Sequence, residues 1–315
     1  MTVATVKVTI NSQQYTLTYN DDSGYWETTV TAPTETSGSN NGGNGPGVGT
    51  AAQGKGYYPV TVEVTDDATN TASCNDETDG ALGQACRLKV LEKVIPVATI
   101  TSPTAGAYIK DSTPTISLQA TDSGSGINPT TGSLVIDSGE PISITLTGSG
   151  TTYTGTHTPT APLGNGSHTI TFTVRDYDGN VSSAASVTFT IDTLPPTLEI
   201  TSPTEGFVTN QTTINVVGTA SDEHSSPVTV TITVNSADQG EVTVEAGGNF
   251  TKAVTLQNGA NIISVTATDE SGQSTTVTRN VTVSTTAPVI EEIIITPNPV
   301  DGGQTYTIQV KVTDT

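Results

Sequence analysis

Three oxygen-bearing side chains in the stretch DYDGN have a spacing that suits a divalent cation. Asp176, Asp178 and Asn180 stand at alternate positions, and calcium loops use carboxylate and amide oxygens at positions 1, 3 and 5. The rest of an EF-hand loop is missing, because Val181 replaces its glycine and Val187 replaces its bidentate glutamate. An EF-hand is therefore excluded. Two interpretations stay open: a different calcium site, or a plain turn in which Asp and Asn bond to their own backbone.

Other residue types that carry out catalysis are not arranged for it. The three histidines stand in separate segments without a second histidine or a cysteine at ligand spacing, and no G-x-S-x-G pattern surrounds a serine. They are His157, His168 and His224. Acidic residues occur in adjacent pairs, but neighbours on a strand point to opposite faces and those in turns point to water. The pairs are Asp21–Asp22, Asp66–Asp67, Asp222–Glu223 and Glu291–Glu292. Such pairs do not face each other across a sugar-sized cleft, so we predict no catalytic residues and no enzyme.

Two cysteines, Cys74 and Cys86, lie in the single stretch TASCNDETDGALGQAC. They are too far apart for a CxxC site and have no histidine nearby, so they do not predict a metal site. A local disulfide formed after exposure to an oxidising environment is one interpretation, and two free thiols is the other.

The composition favours an all-β protein. Thr, Val, Ser and Gly dominate, and β-branched residues fit a pleated, half-buried surface. Ten basic residues against 31 acidic ones give a formal net charge of −21. Nucleic acid and anionic membrane surfaces are therefore unsuitable ligands, since no basic cluster is present to neutralise phosphates. No apolar run approaches the length of a membrane span, so we expect no membrane insertion.

The chain repeats itself at the scale of a domain. ITSPT occurs at Ile100–Thr104 and again at Ile200–Thr204, within longer stretches that keep the same order of apolar, turn and hydroxyl residues. A second phrase occurs three times as an alternating strand, an acidic turn and another alternating segment, which predicts a terminal hairpin in each domain. Its copies begin at Tyr57, His168 and Asn261.

Proline-containing joints separate the predicted domains. The stretches KVIPVATI, DTLPPTLEI and TTAPVIEEI each place proline before an opening strand, and proline makes a short joint semi-rigid. We predict an extended rod of β-sandwiches followed by a short C-terminal β-hairpin tail. The predicted parts are domain 1 at 1–95, domain 2 at 96–193, domain 3 at 194–286, and a β tail or partial domain at 287–315.

Two segments depart from the repeat. Residues 35–56 are rich in Gly, Asn and Ser and cannot bury a core, so we predict a long loop that projects from domain 1. Residues 287–315 have room for only two strands, which are marginal alone in water. The tail packs on domain 3, pairs with another subunit by strand addition, or begins a fourth domain.

The string DTLPPTLEITSPTEG, with ISVTATDESGQST further on, resembles bacterial immunoglobulin-like repeats. The opening ATVKVTINSQQYTLTYNDDSGYWETTVTAP and the closing ITPNPVDGGQTYTIQVKVTD are more similar to immunoglobulin-like accessory proteins of tailed bacteriophages and prophages. The first resemblance implies tandem immunoglobulin-like sandwiches. It also implies calcium at the joints, for which Asp192 in the second joint and the turns at Asp176 and Asp269 are candidates.

The phage resemblance implies a non-enzymatic structural or adhesive component of a virion, on the tail, baseplate, fibre or another exposed part. Such a protein needs no signal peptide because lysis releases the particle, which agrees with the opening MTVATVKVTI. The expected partners are other virion proteins, in an oligomer within the particle, and glycan or cell wall on the host surface. The alternative is the stalk of a secreted bacterial surface adhesin built from immunoglobulin-like repeats.

Overall fold

The computed structural model describes residues 2–32, 57–78, 80–88, 90–91, 93–240 and 242–313. The predicted loop at 35–56 lies outside these residues. The chain forms two compact units, Met1–Ala107 with Thr113–Thr190 and Tyr108–Ser112 with Ile191–Thr315. Strands dominate both units, and the prediction of an all-β protein built from immunoglobulin-like sandwiches is confirmed. The division into four parts at 95, 193 and 286 stays a prediction.

The N-terminal segment, residues 2–88, forms a single sheet in the order β3-β2-β1-β4-β5, and β6 pairs with β4. Its elements are β1 (Val3–Ile10), β2 (Gln13–Asn20), β3 (Tyr25–Glu27), β4 (Tyr58–Asp66), β5 (Thr71–Cys74), α1 (Ala81–Ala85) and β6 (Arg87–Leu88). The alternating pattern on both sides of the turn Asp21–Gly24 predicts the hairpin β2–β3, in which Tyr19 pairs with Trp26. Strands β1 and β2 form another hairpin, in which Val6 pairs with Leu17. Its turn residues, Asn11 and Ser12, both have positive φ.

The middle segment, residues 97–191, contains two sheets. Its strands are β7 (Val97–Ser102), β8 (Tyr108–Ile109), β9 (Ile116–Thr121), β10 (Gly132–Ile136), β11 (Ile142–Ile144), β12 (Thr147–Ser149), β13 (Thr152–His157), β14 (Gly166–Thr173) and β15 (Ala185–Ile191). One sheet has the order β12-β13-β9-β7 and the other contains the run β11-β10-β14-β15. Both sheets bury apolar side chains, including Leu118 from β9 and Phe172 from β14, as two packed layers require.

The third segment, residues 197–283, repeats this architecture. Its strands are β16 (Thr197–Ser202), β17 (Phe207–Thr209), β18 (Thr213–Ser221), β19 (Thr229–Val234), β20 (Ala237–Asp238), β21 (Asn249–Thr255), β22 (Gly259–Thr268) and β23 (Ser274–Val283). The sheet β16-β18-β21 and the sheet β17-β23-β22-β19-β20 enclose one apolar core. Val216 of β18 and Ile263 and Val265 of β22 are completely buried in it.

The tail hairpin consists of β24 (Val289–Thr296) and β25 (Thr307–Thr313), which pair antiparallel. Every residue of β24 is exposed, and so is every residue of β25 except the last. The described residues thus show no burial of the tail against the third segment, and its place as a tail or a partial domain stays a prediction.

Candidate metal centre

Three carboxylates converge in the second unit. Asp192, Asp222 and Asp269 each offer an oxygen, and these oxygens all lie within 4.8 Å of one another. Asp192 follows the last residue of β15, Asp222 follows β18 and Asp269 follows β22. The centre therefore joins the proline-containing joint at 192–196 to two strand ends of the third segment.

Local turn chemistry holds one oxygen of each carboxylate. The Oδ1 atom of Asp222 accepts the backbone N–H groups of His224 and Ser225 at 2.8 and 2.9 Å. The Oδ1 atom of Asp269 accepts the N–H of Gln273 at 2.9 Å and the hydroxyl of Ser271 at 2.8 Å. Aspartate commonly caps its own turn in this way, so these bonds fix each side chain without using its second oxygen.

Side-chain hydrogen bonds connect the joint at 192–196 to the third segment. The Gln273 amide donates to the carbonyl of Asp192 at 3.0 Å, and the Thr275 hydroxyl donates to the carbonyl of Pro196 at 2.6 Å. The Oδ1 atom of Asp192 accepts the N–H of Leu194 at 3.2 Å. The position of Asp192 in the centre is therefore set by the joint itself.

Two buried carboxylate oxygens in this centre have no hydrogen-bond partner among the residues that the structure describes. They are Oδ2 of Asp192 and Oδ2 of Asp269, in side chains that are 0% and 6% exposed. Burial raises the pKa of Asp192, and the charges of Asp222 and Asp269 raise it further, while the bond from Leu194 opposes this. A buried, unpaired carboxylate is costly, and a cation among the three would remove that cost.

The donor set fits calcium. Calcium binds carboxylate and carbonyl oxygens at 2.3–2.6 Å in a flexible shell, so two oxygens on opposite sides of one ion stand about 5 Å apart. The spread of at most 4.8 Å among the three oxygens agrees with this spacing. Magnesium requires a tighter octahedral shell and retains several waters, so it suits this centre less well.

Two of the three carboxylates were predicted from the sequence as calcium ligands. Asp192 and Asp269 were candidates, and the structure brings them together. Asp222 was missed, because we interpreted the Asp222–Glu223 pair as solvated. Its signal was in the repeat: Asp222 stands one hundred positions after Asp122, in the similar stretches TASDEHSS and QATDSGSG.

The other predicted ligands lie in the middle segment, outside this cluster. Asn180 donates its backbone N–H and its side-chain amide to Asp176, both at 2.7 Å, which is the plain-turn arrangement. The backbone N–H of Asp178 donates to the hydroxyl of Ser125 at 3.2 Å. The nearby Asp122 is 4% exposed, and its Oδ1 atom has no hydrogen-bond partner in the described part of the chain. Calcium binding by Asp176, Asp178 and Asn180 stays a prediction.

The two cysteines stand side by side as thiols. Their Sγ atoms are 3.2 Å apart and no bond joins them. Burial raises the pKa of Cys86 to about 11, and contact with Cys74 adds to the effect. The short distance between the two sulfur atoms agrees with the prediction that Cys74 and Cys86 form a local pair. The disulfide between them stays a prediction.

Comparisons with known proteins agree with the repeated sandwich architecture. Residues 96–172 match the family described as Bacterial Ig domain, and residues 196–285 match Glucodextranase, domain B. These two matches, on neighbouring parts of the chain, support tandem immunoglobulin-like domains. It is 31% identical over 132 residues to Bacillopeptidase F of Bacillus subtilis (strain 168), a match that covers 42% of this chain. The chain spans only 9% of the length of that relative.

Solved structures with similar folds include the fibronectin(III)-like modules of Clostridium thermocellum CbhA, at 21% identity and a TM-score of 0.39. That match covers 60% of this chain and 94% of the other. A bacterial ice-binding adhesin of 1.5 MDa is 19% identical with a TM-score of 0.31, covering 90% of this chain and 87% of that one. No helix among the residues that the structure describes has the length and apolar character needed to cross a membrane.

Proposed function

We propose that this protein is a non-catalytic structural and adhesive array of immunoglobulin-like domains that works outside the cytoplasm and binds calcium at a domain joint. The observation that carries the proposal is the cluster of Asp192, Asp222 and Asp269 with its two buried, unpartnered oxygens. Extracellular calcium modules bind the ion at roughly 10⁻⁴–10⁻³ M, a range that fits the calcium level outside cells. The ion holds Asp192 against the strand ends of the third segment.

Within this role, we assign the protein to an exposed part of a bacteriophage virion, where it contacts glycan or cell wall on the host surface. The repeated sandwiches supply rigid supports for surface loops, which is how such domains commonly present binding residues. The second candidate is the stalk of a secreted bacterial surface adhesin. The matches to Bacterial Ig domain and to Bacillopeptidase F support this candidate, because both come from bacterial proteins.

Calcium binding is tested by titration calorimetry and by thermal unfolding in calcium or in EDTA. We expect one ion at this centre and a stabilisation of about 2.7 kcal/mol when free calcium is 100 times the Kd.

Asp269→Asn keeps the oxygen that accepts the turn bonds but removes the charge. We expect it to weaken binding by at least about tenfold and to be more stable than wild type in EDTA, since less buried like charge remains.

Glu223→Gln is the matched control, because Glu223 is exposed, adjoins Asp222 and lies outside the cluster. It changes the net charge by the same amount and should bind calcium as the wild type does. Equal loss of binding in both variants would show that calcium responds only to the overall acidity of the chain.

Mass spectrometry of density-purified particles separates the two locations. A fixed number of copies per particle supports the virion assignment, and absence from particles together with recovery on the bacterial surface supports the adhesin stalk. Retained host adsorption of particles that lack the protein would contradict the adhesive role.

A further inference from the structure

The tail hairpin has one apolar face that none of the described residues covers. The pairing register places Ile290 opposite Val312, Ile293 opposite Val310 and Ile295 opposite Ile308, so these six side chains share a face. Their exposed fractions run from 40% to 60%. The opposite face pairs Glu292 with Lys311 and Ile294 with Gln309. The hairpin is thus amphipathic, and its apolar face is exposed to water. An exposed apolar face of this kind usually marks an interaction site.

The middle and third segments each begin with an antiparallel pair of strands that resembles the tail hairpin. The pairs β7–β9 and β16–β18 each contain a register shift, and the tail hairpin contains one as well. In both complete sandwiches, a later strand adds to the second strand of the pair, β13 to β9 and β21 to β18. The opening pair then covers the core, and Val216 of β18 is 0% exposed.

The described residues of the N-terminal segment contain no such opening pair. Its first hairpin corresponds to β19–β20, because Asn11–Ser12 and Asn235–Ser236 are both turns of two positive-φ residues. In each case the first strand of the hairpin also pairs with the next long strand, so that Val8 faces Val62 just as Ile232 faces Val265. Ile232 and Val265 are completely buried, whereas Val8 and Val62 are only half-buried. Among the residues that the structure describes, none covers the core face of the N-terminal sheet as the opening pair covers that of the third segment.

The N-terminal sheet also has an edge that matches the hairpin. The stretch YWETTVTA, Tyr25–Ala32, resembles NFTKAVTL of the third segment, Asn249–Leu256, where β21 pairs with β18. Phe250 and Val254 of that stretch are each 1% exposed, while their counterparts Trp26 and Val30 are half-buried. Trp26 and Val30 line an open groove together with Val8, Ile10, Tyr15 and Leu17.

We propose that the tail hairpin of one copy of this chain docks on the N-terminal sheet of a second copy and joins the copies head to tail. Strand β25 adds antiparallel to the Tyr25–Ala32 edge, as β18 adds to β21, and the six apolar side chains cover the groove. This inference does not depend on calcium or on the location of the protein.

The net charge of −21 opposes the contact, because two strongly acidic copies repel each other. Association should therefore strengthen as salt screens that repulsion. The salt response distinguishes this apolar contact from one held by ion pairs, which salt would weaken.

The test uses the 315-residue chain in sedimentation equilibrium over a concentration series, with and without added salt. We expect reversible association, together with a concentration-dependent blue shift in the emission of Trp26, the only tryptophan. Val310→Asp places a charge on the apolar face and should weaken association by at least about 100-fold. The matched control is Gln309→Asp, on the opposite face of the same strand, which should associate as the wild type does. A wild type that stays monomeric with unchanged Trp26 emission overturns the proposal.

A mixing experiment separates this contact from a symmetric contact between two tail hairpins. Val30→Asp alters the receiving edge at a residue outside any strand, and circular dichroism checks that the sheet still forms. We expect the Val30→Asp and Val310→Asp chains to be monomeric alone and to form a one-to-one dimer when mixed, because each supplies the surface that the other lacks. Self-association of the Val30→Asp chain, with no one-to-one dimer of the two variants in the mixture, would show hairpin pairing and overturn the head-to-tail arrangement.

Discussion

At the scale of single residues, His168 gives the middle segment a pH-dependent contribution to stability. Its Nδ1 atom lies 2.5 Å from Oδ2 of Asp137, and its Nε2 atom lies 2.7 Å from the carbonyl of Gly164. Burial lowers the pKa of His168, but the bonds to Asp137 and Gly164 and the charge of Asp137 outweigh it, so the pKa is raised above 6.5. The folded state thus holds this proton more tightly than the unfolded state.

The sign of the pH effect follows from linkage. The stabilisation from His168 is fully present below its unfolded pKa and is lost as pH rises through its folded pKa. We expect the urea midpoint of the wild type to fall, relative to His168→Gln, as pH rises from about 6 upward. His157→Gln is the control variant and should follow the wild type. A constant difference between wild type and His168→Gln across this window would contradict the effect.

At the same scale, the candidate metal centre shows which of its residues could be predicted from the sequence and which could not. Asp192 and Asp269 were candidates because one lies in a joint and the other in a hairpin turn, where the resemblance implies calcium. The repetition of Asp122 at Asp222 is visible in the sequence, but nothing in the local sequence states that the ends of β18 and β22 meet at the joint. That convergence depends on the pairing of strands distant in the chain.

At the scale of elements, a close approach between strands depends on Gly218. A Cβ atom at this position would lie 2.2 Å from the carbonyl oxygen of Glu199 and 2.6 Å from Cζ of Phe250. Gly218 pairs with both Ile200 of β16 and Phe250 of β21, so the whole three-stranded sheet would have to move. The glycine therefore makes room for the aromatic ring in the core.

We expect Gly218→Ala to reduce the free energy of unfolding by about 1–3 kcal/mol, the usual cost of overpacking. The measurement is chemical unfolding followed by circular dichroism. Gly302→Ala is the control, because a Cβ atom there would contact nothing within 4 Å, and it should be neutral. Equal stability of both variants would mean that the sheet adapts without cost.

Much of the strand pattern is readable from period-two alternation, because alternate side chains of a strand face opposite sides. The hairpins β2–β3 and β22–β23 were predicted in this way. The same alternation leaves the tail hairpin ambiguous: Ile293, Ile294 and Ile295 indicate a strand, but only burial tells whether a partner covers it. Short strands such as β11 and β12 were not predicted individually, since their few residues carry too little pattern.

At the scale of the whole molecule, burial is unevenly distributed among repeats that share an architecture. Core positions of the third segment, such as Ile232, Val265 and Phe250, are at most 1% exposed. The corresponding positions of the N-terminal segment, Val8, Val62 and Trp26, are only half-buried. Hydrophobic stabilisation scales with the apolar area removed from water, so the N-terminal sheet should be less stable than the third segment.

This difference predicts the order of thermal unfolding. Fluorescence of Trp26, which reports the N-terminal sheet alone, should show a midpoint below the transition that calorimetry assigns to the third segment through its shift with calcium. Docking of a second copy stabilises the folded sheet by mass action, so the Trp26 midpoint should rise with protein concentration. In Val310→Asp the midpoint should be independent of concentration, because the hairpin no longer binds. A Trp26 midpoint at or above the calcium-sensitive transition in dilute protein would show that the sheet needs no further cover.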